Sequence, residues 1–298
     1  MSPNSEFYKK HGEFCAMKGP NGNPFIDIFT WPSHGSVLQL NERVQLINAC
    51  PGAKPWQEQV LDCVRRGLEW GADAIFLDQT AGAPGSFLCF DQRHRHSSPA
   101  HACGPGKTWL SDQVRRMIKE RSPGTALGAE YMADCILEFY DFTIPFGAGF
   151  FHGGQNFGEM HRFTFPEDIV FTQYISREDC DQLHYSFVMG YRFFLAPRQQ
   201  CNLLTAMEPA FVERLAGLVR LRRKYAGVLM KGRFADTEPL EVRNAALVAR
   251  AFESGGEGAV AVWNPTTEPQ ELGVSWPGRE LREVETFALS PEEKRLAL

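Results

Sequence analysis

The sequence predicts an α/β fold: a (β/α)8-type (TIM) barrel whose first strands are absent or replaced, followed by a small C-terminal antiparallel β domain. Three observations predict it. Short uncharged runs alternate with amphipathic helical stripes up to residue 225, the arrangement of a parallel sheet with helices outside it. Two of these runs, residues 74–77 and 125–129, end on carboxylates, Asp78 and Glu130, where an α/β barrel keeps its chemistry. Beyond Gly227 the texture changes to short β-like runs separated by turn signals.

Residues 1–43 read as surface loop with one buried piece. Gly19 to Pro24 is a cluster of turn formers, and Pro32 to Gly35 breaks the chain again around an apolar stretch, residues 25–31. Residues 44–49 form an expected buried strand closed by Cys50-Pro51-Gly52. Residues 55–70 follow with Val60, Leu61, Val64 and Leu68 on one helical face and charges on the others, and Gly71 suits a left-handed helix end. Strand, helix and the run ending at Asp78 are expected to form one βαβ unit.

A long loop of Gly, Pro, Ser and His, residues 79–106, comes next; loops of that length are often functional. A helix over 107–121, a strand over 125–129, a short helix over 131–138 and a strand over 139–145 repeat the pattern. Residues 146–159 form a Gly-rich aromatic loop, 162–165 an expected strand, 177–190 a helix and 191–195 a last strand. The helix over 209–225 is the clearest, with Pro209 in its first turn and Arg220, Arg222, Arg223 and Lys224 where the helix dipole favours cations. Residues 247–252 and 259–263 flank a Gly-rich hairpin signal. The division expected is a barrel domain over 1–226 and a β-sandwich-like domain over 227–298. About six strand–helix units are legible, fewer than the eight of a closed barrel. Counted back from the 209–225 helix, Asp78 ends the fourth strand and Glu130 the fifth.

Composition bounds the function. Hydrophobic residues make up 43% of the chain, enough for a real core, while a net charge of -5 with no basic block argues against a nucleic-acid partner. The polar start lacks the apolar core of a leader, and no stretch approaches the length of a membrane span, so a soluble, cytoplasmic product is expected. The eight cysteines are scattered, as reduced thiols are, and no disulfide framework is expected.

Asp78 has two readings from the strand alone: a carboxylate used in chemistry or a cap for the loop that follows. Glu130 likewise either acts or caps the next helix. His152, in a Gly-rich strand-exit loop, is a transition-state hydrogen-bond donor or a surface histidine. Trp31 can stack on a sugar ring, as can Trp56 and Trp109, for which a core position is the better reading. Cys89, Asp91, His94, His96, His101 and Cys103 supply enough donors for a zinc site, although their spacing fits no standard motif. Lining a ligand site, or standing in a solvated loop, are the other readings of Asp91, His94 and His96.

The phrase Gly71-Ala72-Asp73-Ala74-Ile75-Phe76-Leu77-Asp78, the glutamate ending the next strand and the β domain after the last helix resemble the retaining α-glycosidases of the α-amylase and endo-α-N-acetylgalactosaminidase types. Cys50-Pro51 with Trp56-Gln57, Asp78-Gln79, and Cys89-Phe90-Asp91 with His94 and His96 are more similar still to a group of poorly characterised bacterial glycosidase-like proteins. The resemblance covers residues 44–225; the missing first strands depart from it. It implies a glycoside hydrolase of retaining mechanism on α-linked sugars, with Asp78 as nucleophile and Glu130 as acid/base. In line with it, Gln79, Asp91, His94 and His96 are expected around the sugar, and Asp168 corresponds to the third carboxylate of amylase-like enzymes; His152 and Trp31 are the other expected sugar contacts. No metal and no cofactor is needed for that chemistry. Two carboxyl groups about 5–5.5 Å apart serve a retaining reaction, provided that their environments differ. The alternatives are a non-catalytic or degenerate carbohydrate-binding barrel and a zinc-dependent hydrolase built on the Cys89–Cys103 loop. Sugar, linkage, mode of attack and oligomeric state are not specified by the residues.

Overall fold

A computed structural model describes residues 1–29, 44–79, 88–130, 134–144, 157–172, 175, 180–195 and 207–285. Its contacts divide the chain into two compact units, Met1–Ile144 and Pro145–Leu298.

The first unit begins with a helix that the sequence reading missed, α1 (Glu6–Cys15), capped by the Ser5 hydroxyl, which accepts from the Tyr8 amide. Two strands, β1 (Ile26–Phe29) and β2 (Val44–Ile47), then pair antiparallel with each other. This corrects the expected βαβ unit: among the described residues β2 belongs to a separate two-stranded sheet and does not join the strand that leads to Asp78. A buried, uncharged run fits either sheet, and its pairing is a long-range choice that local pattern does not encode.

The rest of the unit follows the pattern. Helix α2 (Lys54–Glu69) carries Pro55 in its first turn and lays Val64 into the core with Val60, Leu61 and Leu68 beside it, while Asp62, Arg65, Arg66 and Glu69 form ion pairs on its outer face. Gly71 takes φ +77° after the helix, as a left-handed end requires. Strand β3 (Ala74–Leu77) pairs in parallel with β4 (Ala126–Glu130), and β4 with β5 (Phe142–Ile144). Helix α3 (Gly104–Arg121) connects β3 to β4 and buries Leu110, Val114 and Ile118 in the same core as Val64, Leu127 and Ala129. A 3₁₀ turn, Asp134–Phe139, stands where a short helix was expected. A Cβ at Gly128 would stand 2.1 Å from the Phe142 ring on the neighbouring strand, so a larger residue there has to displace that ring.

In the second unit, α4 (Phe157–Thr164) replaces the strand expected over 162–165. The run Arg162-Phe163-Thr164-Phe165 is β-like in composition, but Arg162 and His161 turn inward from a helix and bury their polar ends there. Helices α5 (Cys180–Val188) and α6 (Pro209–Lys224) share a core of Leu183, Phe211, Leu215 and Leu218 with Ile175. The expected strand at 191–195 is reduced to two parallel bridges, Phe171 with Arg192 and Ile175 with Leu195. After the short α7 (Ala226–Leu229), β6 (Arg233–Asp236), β8 (Val248–Ser254) and β9 (Glu257–Trp263) form an antiparallel sheet in the order β6-β8-β9; β7 (Glu241–Val242) pairs with β10 (Val274–Ser275). The hairpin between β8 and β9 turns on Gly255 and Gly256, both at positive φ.

The architecture is therefore mixed α/β, with a three-stranded parallel sheet and small antiparallel sheets. No complete barrel is formed among the described residues. No described helix is long and apolar enough to cross a membrane.

Candidate active site

The parallel register of β3 and β4 aligns Leu77 with Ala129, so the next residues, Asp78 just past β3 and Glu130 at the end of β4, where it pairs with Ile144 of β5, stand side by side. Neighbouring strands lie about 4.8 Å apart, and the two carboxylates are separated by one such step at the backbone. Asp78 is exposed and Glu130 buried. Gln79 adopts φ +54°, a conformation uncommon for a side chain of its size, and its amide donates to Glu130 Oε2 at 3.2 Å. The turn after β3 thus reaches across to hold the neighbouring acid. Such strain collects at sites where geometry matters.

Asp91, His94 and His96 meet elsewhere in the first unit. The Asp91 carboxylate is buried and accepts from the Arg93 amide and guanidinium, with Lys18 Nζ 3.4 Å away. Hydrogen bonds from Arg93 hold its pKa well below the usual carboxylate range. His94 is buried; its Nε2 bonds to the Phe14 carbonyl at the end of α1, and its Nδ1 lies 3.2 Å from Cys89 Sγ. A carbonyl oxygen only accepts, so Nε2 carries the proton. Cys50 and His96 complete this group: the ligand atoms of Cys50, Cys89, His94 and His96 lie within 4.8 Å of one another. A hydrogen bond with Cys50 draws the Cys89 thiol down, and the same bond raises Cys50.

Cys50 was not among the donors expected from sequence, because 38 residues separate it from Cys89. Its signals in the sequence were its position at the end of an expected buried strand and its place, with Cys89, His94 and His96, among the residues that carry the resemblance. Of the donors that were expected, His101 is exposed and bonds Ser97, while Cys103 is buried at the start of α3. No disulfide links the seven described cysteines.

Asp168 lies in the second unit, where its carboxylate accepts from His161 Nε2 at 2.7 Å and its carbonyl from Arg162 at 2.6 Å. Trp31 and His152 fall outside the described residues. The structure therefore brings together Asp78, Gln79 and Glu130 in one place and Asp91, His94 and His96 in another.

Residues 2–148 match the model of a family described as a domain of unknown function, DUF6259. No curated protein matches the sequence. Among solved structures, the galactosidase domain of the alpha-galactosidase-sucrose kinase AgaSK is similar at TM-score 0.56 and 11% identity, over 98% of this chain and 36% of that one. The GH36 alpha-galactosidase AgaA of Geobacillus stearothermophilus, in complex with raffinose, is similar at TM-score 0.55 and 13% identity, over 97% and 38%. An Anoxybacillus alpha-amylase is similar at TM-score 0.55 and 13% identity, over 90% and 63%. The likeness is one of fold, to glycoside hydrolases. This chain spans little more than a third of the length of those two alpha-galactosidase chains.

Proposed function

We propose that this chain carries the reacting carboxylates of a retaining glycoside hydrolase for α-linked sugars, with Asp78 as nucleophile and Glu130 as acid/base. The observation that supports it is the pairing of the two acids at the C-terminal ends of adjacent parallel strands, one exposed and one buried. In this reading the exposed Asp78 attacks the anomeric carbon while Glu130 protonates the departing oxygen. Glu130 then takes a proton from the water that releases the sugar. The Gln79 amide orients Glu130. Trp31, His152 and Asp168 remain proposed sugar contacts. The β segment 227–298 is proposed as an accessory domain to a barrel region 1–226. The raffinose-bound neighbour makes α-galactosides the first substrates to try.

Intact-mass measurement after incubation with 2-fluoro glycosyl fluorides, galactosyl first, tests this reading. The expected result is a gain of one fluorosugar that is absent in Asp78→Asn. No adduct with any sugar, in protein shown to be folded, removes the catalytic reading. A second reading, a carbohydrate-binding barrel that does not turn over, is favoured by one feature: among the described residues β3 pairs on one side only, and Phe76 on it is exposed. Sugar binding without an adduct would support it.

A further inference from the structure

We propose that Cys50, Cys89, His94 and His96 bind one Zn²⁺ as a structural site that ties the chain after β2, the 89–96 segment and the end of α1 together. Four observations carry this.

The first is geometry. A tetrahedral zinc with bonds of about 2.3 Å to sulfur and about 2.0 Å to nitrogen needs its ligand atoms roughly 3.3–3.8 Å apart. The four atoms already lie within 4.8 Å of one another, and three of their residues are buried. Small side-chain adjustments close the site.

The second is the support around each ligand. His94 spends its Nε2 proton on the Phe14 carbonyl, which leaves the Nδ1 lone pair facing Cys89. Metal-binding histidines are oriented in this way, by a bond from the ring nitrogen that does not face the ion. Backbone amides of Lys18 and Asp91 point at Cys89 Sγ, and that of Gly52 at Cys50 Sγ, donors that suit thiolates.

The third is an orphan. His96 Nε2 is buried with no hydrogen-bond partner among the described residues. A buried ring nitrogen left unpaired is unfavourable, and coordination removes that penalty.

The fourth is the surrounding core. Its buried members are Cys15, Met17, Cys50, Ala53, Cys89, Ala102 and Cys103, with Phe7, Phe14, Phe25 and Trp56 packed against them, an apolar shell of the kind that limits solvent access to a metal site. Nearby charges do not oppose the ion. Asp91 and Glu13 are matched by Arg93 and Lys18, and two thiolates neutralise Zn²⁺.

Four protein ligands leave no position for water, so the site is closed and structural. This differs from the zinc-hydrolase alternative, in which the metal would act on substrate, and it does not depend on the assignment of Asp78 and Glu130.

The test is metal analysis of the full chain, purified without chelator, with cobalt substitution as the second readout. About one zinc per chain is expected, with tetrahedral d–d bands and thiolate-to-cobalt charge transfer after exchange. Cys50→Ser should lower zinc content at least tenfold. Cys103→Ser, which removes a neighbouring thiol outside the ligand set, should leave it unchanged. His96→Cys should keep the metal and strengthen the charge-transfer band, a gain that a merely structural histidine would not produce. The proposal is overturned by folded parent protein that takes up neither zinc nor cobalt, by a Cys50–Cys89 disulfide seen as two fewer alkylatable thiols, or by full zinc retention in Cys50→Ser. The fluorosugar adduct is read separately, so failure of either reading leaves the other standing.

Discussion

At the scale of single residues, Glu130 and Asp91 make separate predictions. If Glu130 protonates the leaving oxygen, Glu130→Gln should slow glycosides with poor leaving groups by about 10²–10⁴-fold and activated aryl glycosides far less. Equal losses on both, measured as kcat/KM, would remove its acid role. Asp91 is a matter of stability. Arg93 hydrogen bonds depress its folded pKa below that of the unfolded chain. A group shifted downward stabilises the fold above its unfolded value, near about pH 4, and loses that contribution as pH falls toward its folded value. Asp91→Asn should therefore lower the midpoint of urea unfolding at neutral pH by the equivalent of about 1–3 kcal/mol. The gap to the parent should narrow steadily below about pH 4. A gap that stays constant with pH would mean that the charge of Asp91 does not matter.

At the scale of elements, one carboxylate joins a helix to two strands. Asp141, just before β5, accepts from both terminal nitrogens of Arg115 on α3, at 2.5 and 2.6 Å, and from the Leu127 amide on β4 at 2.8 Å. Charged hydrogen bonds of this kind are worth about 1.5–3 kcal/mol, so Asp141→Ala should destabilise by at least that much in chemical denaturation. An effect under about 0.5 kcal/mol would place the linkage in apolar packing instead. Helix α6 shows how an element can mislead. Its four C-terminal cations read alike as complements of the helix dipole, yet Arg222 is buried, donates to the Tyr191 carbonyl at 2.6 Å and stacks on Phe193. Burial pulls its pKa down to about 9. Helical phase decides this, since Arg222 lies on the same side as Leu215 and Leu218 while its neighbours do not.

At the scale of the whole molecule, the proposed zinc site predicts where stability resides. Removing zinc with a strong chelator should lower the thermal midpoint, each lost kcal/mol shifting it by roughly 2–4 °C in a chain of this size, and zinc should restore it. No shift in a protein shown by metal analysis to have lost its zinc would mean that the ion does not support the fold. The fold neighbours are glycoside hydrolases much longer than this chain, and the described residues form three parallel strands and no complete barrel.

Local pattern carried a large share of the result. Helices α2, α3, α5 and α6, strands β3 and β4, and the β8–β9 hairpin were legible because each has a strong period or a clear turn signal, and these depend on near neighbours in the chain. The adjacency of Asp78 and Glu130 was legible for the same reason, as successive strands of a βαβ unit usually pair. Polar α1, the antiparallel partner of β2 and helix α4 were not, because capping, long-range pairing and burial override weak local preference. The Cys50–Cys89–His94–His96 group lay furthest from view. Its members come from segments that have no reason to meet until α1, the exit of β2 and the 89–96 stretch pack together, and that convergence is a property of the folded chain alone.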